Sequence, residues 1–574
     1  MTNMLNRHTL GFLKIQRCTY KTRCVEKKRF RVLPRLSPLS LKILAGATAV
    51  GCGYYMLKTD KEKRAIKVTF GGITRFFRSS FIATQIAVDY YWTLFRVPED
   101  SESYYKILSE IHKRSAERIL NGCLKNGGLY IKLGQGLIIM DHLLPKEYIQ
   151  GLIPLQDKCL VRNFSEVEQL FKEDFGKDVS ELFTEFNKEP IAAASLAQVF
   201  KAKLKTGEEV AVKTQYIDLQ DRFIGDMMTL KILLAMAAKI YPDFDFGWVL
   251  NELKGTLSKE LNFLNEAKNA EKCAKDLSHL PFVYIPKVYW DYSSSRVLTT
   301  EMIDGEKISN KKGLKKRGLS LADIDRKLFK TFSEQIFYTG FVHADPHSGN
   351  ILVRKGTEGA QLVILDHGLY EDVPPEISES LRNLWKAMVL NNHPDMKKYA
   401  MELGIKEADY RIFCIALGQR YIPAANTTSG DSDIVRSLFS PQQIKKKMLK
   451  MTKEEKMQLE REVTALRSRS FRIFKDMPHK LMLVTRNINT IRSIARDHGD
   501  PINRYKEMAR CASYGTFEKR SGSGPIAYFQ YWKERTDFEF KLWWGGVKNW
   551  VFGIMIKILT LGISDGQGAK LNVS

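Results

Sequence analysis

The stretch FVHADPHSGN, residues 341–350, decides how the rest of the chain is read. Two histidines, a proline, an aspartate, a serine, a glycine and an asparagine follow one another, a composition that suits neither a packed helix nor a paired strand. It reads as a polar loop with Asp345 five positions before Asn350. Downstream, NILVRKGTEGAQLVILDHG (350–368) reads as a strand, a Gly-containing turn and a second strand ending on Asp366. Upstream, AAASLAQVFKAKLKTGEEVAVKTQ (192–215) holds two β-rich runs around the turn pair Thr206-Gly207. The second run closes on Lys213, whose stem lies in an apolar wall and whose ammonium can turn toward a phosphate.

Phosphoryl transfer needs a group to position ATP, oxygen ligands for Mg²⁺, and a group to orient or deprotonate the acceptor. A strand lysine, a D-x-x-x-x-N loop and a D-x-G after a short hairpin supply those roles in the order found in protein kinases. Each fragment alone is weak; the ordered set is specific. Two features depart from the kinase pattern. No G-x-G-x-x-G precedes Lys213, and Ala192-Ala193-Ala194-Ser195 stands in its place. Alanine lacks the positive φ angles open to glycine, so this loop should be stiffer. Further upstream, GGLYIKLGQGL (127–137) sets Lys132 and Gln135 three apart, on one helical face, with Gly134 permitting close approach.

With these departures the sequence resembles the aarF-domain-containing, or UbiB-type, atypical kinases from about residue 115 to 500. Lys132-Leu133-Gly134-Gln135 matches the family's K-x-G-Q motif, and Ala192 to Ser195 its Ala-rich loop. HADPHSGN matches its catalytic loop, with Ser348 where proline is usual, and Asp366-His367-Gly368 stands for D-F-G. The resemblance implies ATP and Mg²⁺ as cofactors. It places nucleotide contacts on Ala192, Ala193, Ala194, Ser195, Lys213, Glu266, Lys132 and Gln135. Metal would fall to Asn350 and Asp366, and catalysis to Asp345 and Lys213; Glu266 would pair with Lys213. His343 and His347 are expected to shape the loop. The family's E-x-D pair appears here as Glu260-Leu261-Asn262, an amide replacing a carboxylate, which should weaken an ion pair with Lys132.

The expected fold class is α+β: a two-lobed protein-kinase-like fold with an added N-terminal helical extension carrying the K-x-G-Q motif. The expected divisions are a mitochondrial targeting segment (1–36), a transmembrane helix (37–60) and the helical extension (61–180). A small lobe (181–310), a large lobe (311–505) and a basic C-terminal region (506–574) follow. Residues 1–36 carry ten Lys/Arg against the single acid Glu26, as a mitochondrial presequence requires; a disordered basic tail is the alternative. Between Lys42 and Lys58 lie fifteen uncharged residues, short of the roughly 20 that span a bilayer, so a buried helix or the apolar part of a targeting signal competes with a single span. LWWGGVKNWVFGIMIKILTLGI (542–563) reads either as a membrane-interfacial helix or as a helix docked on the core.

Over 574 residues, Lys+Arg outnumber Asp+Glu by 90 to 65, a formal charge of +25, which suits anionic lipid or phosphorylated ligands. The eight scattered cysteines form no C-x-x-C, so neither a zinc site nor a disulfide framework is indicated. ATP and membrane lipid are the expected partners, and nucleic acid is not. The function expected is Mg-ATP phosphoryl transfer or hydrolysis by a protein held in a mitochondrial membrane by one span, with a link to lipid or quinone metabolism. The alternative is a nucleotide-binding pseudokinase acting as a scaffold or lipid-binding module.

Overall fold

The computed structural model describes residues 53–98, 102–139, 144–155, 162–193, 196–240, 255, 257–420, 422, 473, 477–514, 529, 532–533, 535–544 and 547. The chain divides into two compact units, 1–67 and 68–574. The targeting segment 1–36 and residues 37–52 of the expected span lie outside the described residues. In the first unit, Tyr54, Met56 and Leu57 are exposed on a short helical turn. It stops at Lys58, which pairs with Glu62. Among the described residues no helix is long and apolar enough to cross a membrane. The single-pass expectation is therefore corrected: the helix that follows starts with Asp60, Lys61, Glu62, Lys63 and Arg64, charges that would each be costly in hydrocarbon. Of the expected interfacial helix, only 542–544 and 547 are described, and Trp543 and Trp544 are exposed there.

The second unit begins with helices. After α1 (Asp60–Leu94), of which residues 68–94 belong to this unit, come α2 (Glu102–Asn126), α3 (Leu129–Ile139) and α4 (Lys146–Leu152). Gly127 and Gly128 both take positive φ, 67° and 50°, a turn glycine makes without strain, and so reverse the chain between α2 and α3. Cys123, Tyr130, Ile131, Ile138, Leu152 and Leu155 then close a small core around α3.

Next, α5 (Phe164–Phe175), capped by the Asn163 side chain, and the short α6 (Val179–Leu182) lead into a five-stranded antiparallel sheet. Its path is β1 (Phe183–Phe186), β3 (Ala197–Leu204), β4 (Glu209–Gln215) and β6 (Val297–Glu301), with β2 (Ala192–Ala193) also on β3. The expected turn at Thr206-Gly207 joins β3 to β4, with Gly207 at φ 94°. Side chains alternate across a strand. Val210 and Val212 therefore enter a core with Phe171, Phe200 and Leu204, while Ala211 and Lys213 turn to the opposite face. After α7 (Leu219–Ile240), α8 (Phe263–Asp276) packs on that face through Phe263, Ala267 and Ala270 against Ala197 and Leu298.

A second sheet runs in the order β5 (Val283–Tyr284), β10 (Gly359–Ile364), β9 (Ile351–Gly356) and β7 (Glu306–Lys307). The pair β8 (Phe341–His343) and β11 (Tyr370–Asp372) brackets the site loops. The hairpin β9–β10 is the one expected from residues 350–366. Below lies the largest core, built on the short α9 (Lys311–Lys316), α10 (Leu321–Glu334), α11 (Pro375–Leu390), α12 (His393–Glu402), α13 (Tyr410–Gly418), α14 (His479–His498) and α15 (Arg504–Tyr514), with Phe329, Phe332, Leu384, Trp385 and Ile491 near its centre. The expected polar loop 424–433 lies outside the described residues. The whole is the mixed helix-and-sheet, kinase-like arrangement expected for the fold class.

Candidate active site

Lys213 stands mid-strand between β3 and β6, opposite Val199 and Leu298. Its ammonium reaches Glu266 Oε1 at 2.7 Å and Oε2 at 2.9 Å, and Asp366 Oδ2 at 3.5 Å. Glu266 gets there because the apolar stripe of α8, Phe263, Ala267 and Ala270, faces the sheet and carries Glu266 within it. Burial opposes the charge on Lys213, but Asp366 and Glu266 outweigh it and hold its pKa above the ordinary lysine value. Burial lifts the Glu266 carboxyl up to about 7, against the pull of Lys213.

The loop of residues 344–350 and the Asp366-His367-Gly368 turn are joined by one imidazole. His343 Nδ1 accepts the Asp345 amide N–H at 3.0 Å, so Nε2 carries the proton and donates to the Asp366 carbonyl at 2.9 Å. Burial keeps this ring neutral, below the ordinary histidine value. His343 thus shapes the loop, as expected, and His347 does the same by accepting the Gly349 amide at 3.1 Å. The Leu365 amide donates to the Asn350 carbonyl at 2.9 Å, which brings Asn350 alongside Asp366. Asp366 Oδ1 accepts the Gly368 amide at 2.9 Å. Burial works against its charge, yet Lys213 and that amide hold the carboxyl well below the usual range. His367 fills the position between them: it is buried, stacks on Tyr370, donates to Ile364 O and accepts from Tyr370 OH. Burial drives its pKa down to about 3.

Lys132 projects from α3 to Glu260 Oε2 at 2.8 Å. Burial opposes its charge, but Glu260, Asp345 and Asp366 together raise its pKa, so its ammonium sits in the field of all three carboxylates. Asn262, which stands where the family has an aspartate, has a local task. The amide oxygen accepts the Leu264 N–H at 3.1 Å and caps α8, so it serves the helix and leaves Glu260 to Lys132. Gln135, expected among the nucleotide contacts, donates its Nε2 to Leu155 O at 2.9 Å and ties α3 to the segment after α4. Gly134 is required there, since a Cβ would lie 2.2 Å from Leu155 Cδ1. Ala192 and Ala193 pair with Val199 and Gln198 along β3. Ala194 and Ser195 lie outside the described residues.

Two residues of the site had no sequence motif. From α14, Arg486 Nη2 reaches Asp345 Oδ2 at 2.9 Å, and the fully buried Asn487 donates its amide to the His343 carbonyl. Asn487 could have been flagged as a polar residue on the apolar stripe Val484, Ile488 and Ile491; Arg486 carried no signal at all.

Among the described residues no three His, Cys, Asp or Glu side chains gather into a metal cage. Mg²⁺ is commonly held by one or two protein oxygens together with substrate phosphates. The ionised Asp366 and the side-chain carbonyl of Asn350 are donors of the right hardness.

A family model, the ABC1 atypical kinase-like domain, matches residues 154–400. The chain is 40% identical over 474 residues to Probable serine/threonine-protein kinase abkD of Dictyostelium discoideum, covering 82% of this chain and 65% of that protein. It thus spans just under two thirds of that relative's length. It is 30% identical over 543 residues to an Arabidopsis thaliana protein named for ABC1, covering 91% and 98% of the two chains. It is also 39% identical over 368 residues to AarF domain-containing protein kinase 1 of Gallus gallus, covering 64% and 71%. A particular likeness to aarF domain-containing protein kinase 5 is not confirmed by these relatives.

Proposed function

The chain belongs to the ABC1 atypical kinase-like family, also known by its aarF domain, and on that premise we propose that it binds Mg·ATP and catalyses phosphoryl transfer or ATP hydrolysis. The observation that carries this reading is the arrangement around Lys213: its ammonium is held by Glu266 and adjoins Asp366, with Asp345 tied through His343 to the same turn. Lys213 is oriented to take the α- and β-phosphates, and Glu266 keeps it from collapsing onto Asp366. Asn350 and Asp366 would hold Mg²⁺, which when bound neutralises charge on the phosphate oxygens. Asp345 aligns the acceptor oxygen for in-line attack. The β2–β3 hairpin with Ala192 and Ala193 covers the nucleotide, more stiffly than a glycine loop would.

The acceptor remains a choice between water, a lipid or phenolic small molecule, and a protein hydroxyl. Lys132, paired with Glu260 and attracted by Asp345 and Asp366, favours small acceptors because it narrows the approach to Asp345. The same observation supports a second reading, a nucleotide-binding pseudokinase serving as a scaffold or lipid-binding module. One experiment separates them. The purified chain is assayed for ADP release with ATP, with and without Mg²⁺, anionic vesicles and phenolic lipid analogues. Mg²⁺-dependent turnover supports the enzyme. Tight nucleotide binding without turnover under any of these conditions supports the scaffold.

A further inference from the structure

Asp345 receives its charged partner from a helix 141 residues further along the chain. Four contacts fix α14 against the loop and its bracketing strands. Lys480 Nζ donates to the Asp372 carbonyl at 3.0 Å, and Leu483 packs with Ala344 and Leu369. Arg486 pairs with Asp345 Oδ2 at 2.9 Å, and Asn487 donates to the His343 carbonyl. Positions 480, 483 and 487 share one helical face, so this grip follows from the 3.6-residue period, with Arg486 beside it. The guanidinium reaches Asp345 Oδ2 through Nη2 at 2.9 Å, and among the described residues nothing pairs with its buried Nε. Oδ1 of Asp345 takes no hydrogen bond from the described residues.

We propose that Arg486 is the positioning residue for Asp345. It clamps Oδ2 so that Oδ1 is presented to the O–H of the attacking acceptor. This deepens the phosphoryl-transfer reading and rests on it. In the step it serves, the acceptor oxygen forms a bond to the γ-phosphorus while the bond from that phosphorus to the β–γ bridging oxygen breaks. The electron pair of the broken bond leaves with ADP, and the acceptor proton passes to Asp345 Oδ1 and on to solvent. In this role Arg486 acts through Asp345 alone. Its effect is therefore on the rate of the step and not on nucleotide affinity, and a carboxylate misplaced by about 1 Å can lower a rate on the order of 100-fold.

The full-length chain is assayed as wild type, Arg486→Lys, Arg486→Gln, Asp345→Asn and the Arg486→Gln/Asp345→Asn double variant. The measurements are kcat, KM for Mg·ATP, nucleotide Kd, and amide hydrogen exchange across residues 343–350. Arg486→Gln should lower kcat by roughly 10- to 100-fold with Kd within twofold. Arg486→Lys, which keeps a charge able to make one contact, should recover most of that loss. The double variant should be no slower than Asp345→Asn alone, because the arginine acts through that carboxylate. Exchange should accelerate at 344–346 in Arg486→Gln and stay near wild type in Arg486→Lys. Losses that multiply in the double variant, a Kd that rises as kcat falls, or equal effects of Lys and Gln would each overturn the proposal. If the wild type itself turns over no ATP, the enzymatic reading fails. The exchange data then still decide whether Arg486 holds Asp345: unchanged protection in Arg486→Gln refutes the clamp.

Discussion

Replacing Glu266 by glutamine tests the centre of the site. The change removes one carboxylate of the Lys213 pair while keeping an acceptor oxygen at the same place. Breaking a buried ion pair from one side costs about 3–5 kcal/mol when the remaining charge is left uncompensated. Here Asp366 Oδ2 already lies 3.5 Å from the ammonium, and the amide oxygen can keep one of the two short contacts. The loss of stability should therefore be nearer 1–2 kcal/mol, about the worth of one charge-assisted hydrogen bond. Lys213 should then draw toward Asp366, taking it from the metal. Affinity for Mg·ATP should fall by roughly tenfold or more, equivalent to about 1.4 kcal/mol, with a smaller loss for ATP without Mg²⁺. The Glu266 carboxyl is pushed up to about 7, so acid supplies an internal control. Between pH 8 and 6 the wild type should lose affinity as Glu266 takes a proton, and the glutamine variant should lose less. Calorimetric titration with and without Mg²⁺, beside chemical denaturation, reads all of this. A variant that loses stability yet binds Mg·ATP as tightly as wild type would show that the pair is structural and that Lys213 is no nucleotide ligand.

Other perturbations have equally definite outcomes. Asp366→Asn should abolish the Mg²⁺ dependence of nucleotide binding, and an unchanged Mg·ATP affinity would refute the metal assignment. Ala193→Gly should alter ATP and ADP affinities at near-constant thermal stability if the hairpin covers the phosphates; unchanged affinity with a loss of about 0.5–1 kcal/mol would mean that it is an ordinary turn. Gly134→Ala should destabilise by roughly 1–3 kcal/mol in chemical denaturation, because its Cβ would meet buried Leu155 at 2.2 Å, and tolerance of the change would disprove the close packing. His343 and His367 are held neutral with lowered pKa values, so the unfolded chain takes up protons first as pH falls. Their stabilisation is complete above about 6.5 and drains away below it, for His367 down to about 3, at up to roughly 1.4 kcal/mol per pH unit for each. His367→Phe should flatten that acid limb in urea titrations; an unaltered slope would show that the ring is not buried neutral.

The local patterns were legible because they depend on near neighbours. The turn at Thr206-Gly207 made a hairpin, and the hairpin before Asp366 formed as read. The motif residues Lys132, Lys213, Glu266, Asn350 and Asp366 could be named because each stands in a short run with fixed spacing. The single membrane span was misjudged from one apolar stretch, since hydropathy over fifteen residues does not say how a helix ends, and the described chain turns into charge at Lys58 and Asp60. Tertiary structure alone decided the partners. Asn262 became a helix cap, Gln135 a tie to Leu155, and Arg486 the counter-charge of Asp345. A charge pair across 141 residues leaves no periodicity to read. It exists because the large core seats α14 against the loop, and packing, not spacing, fixes which side chains meet there.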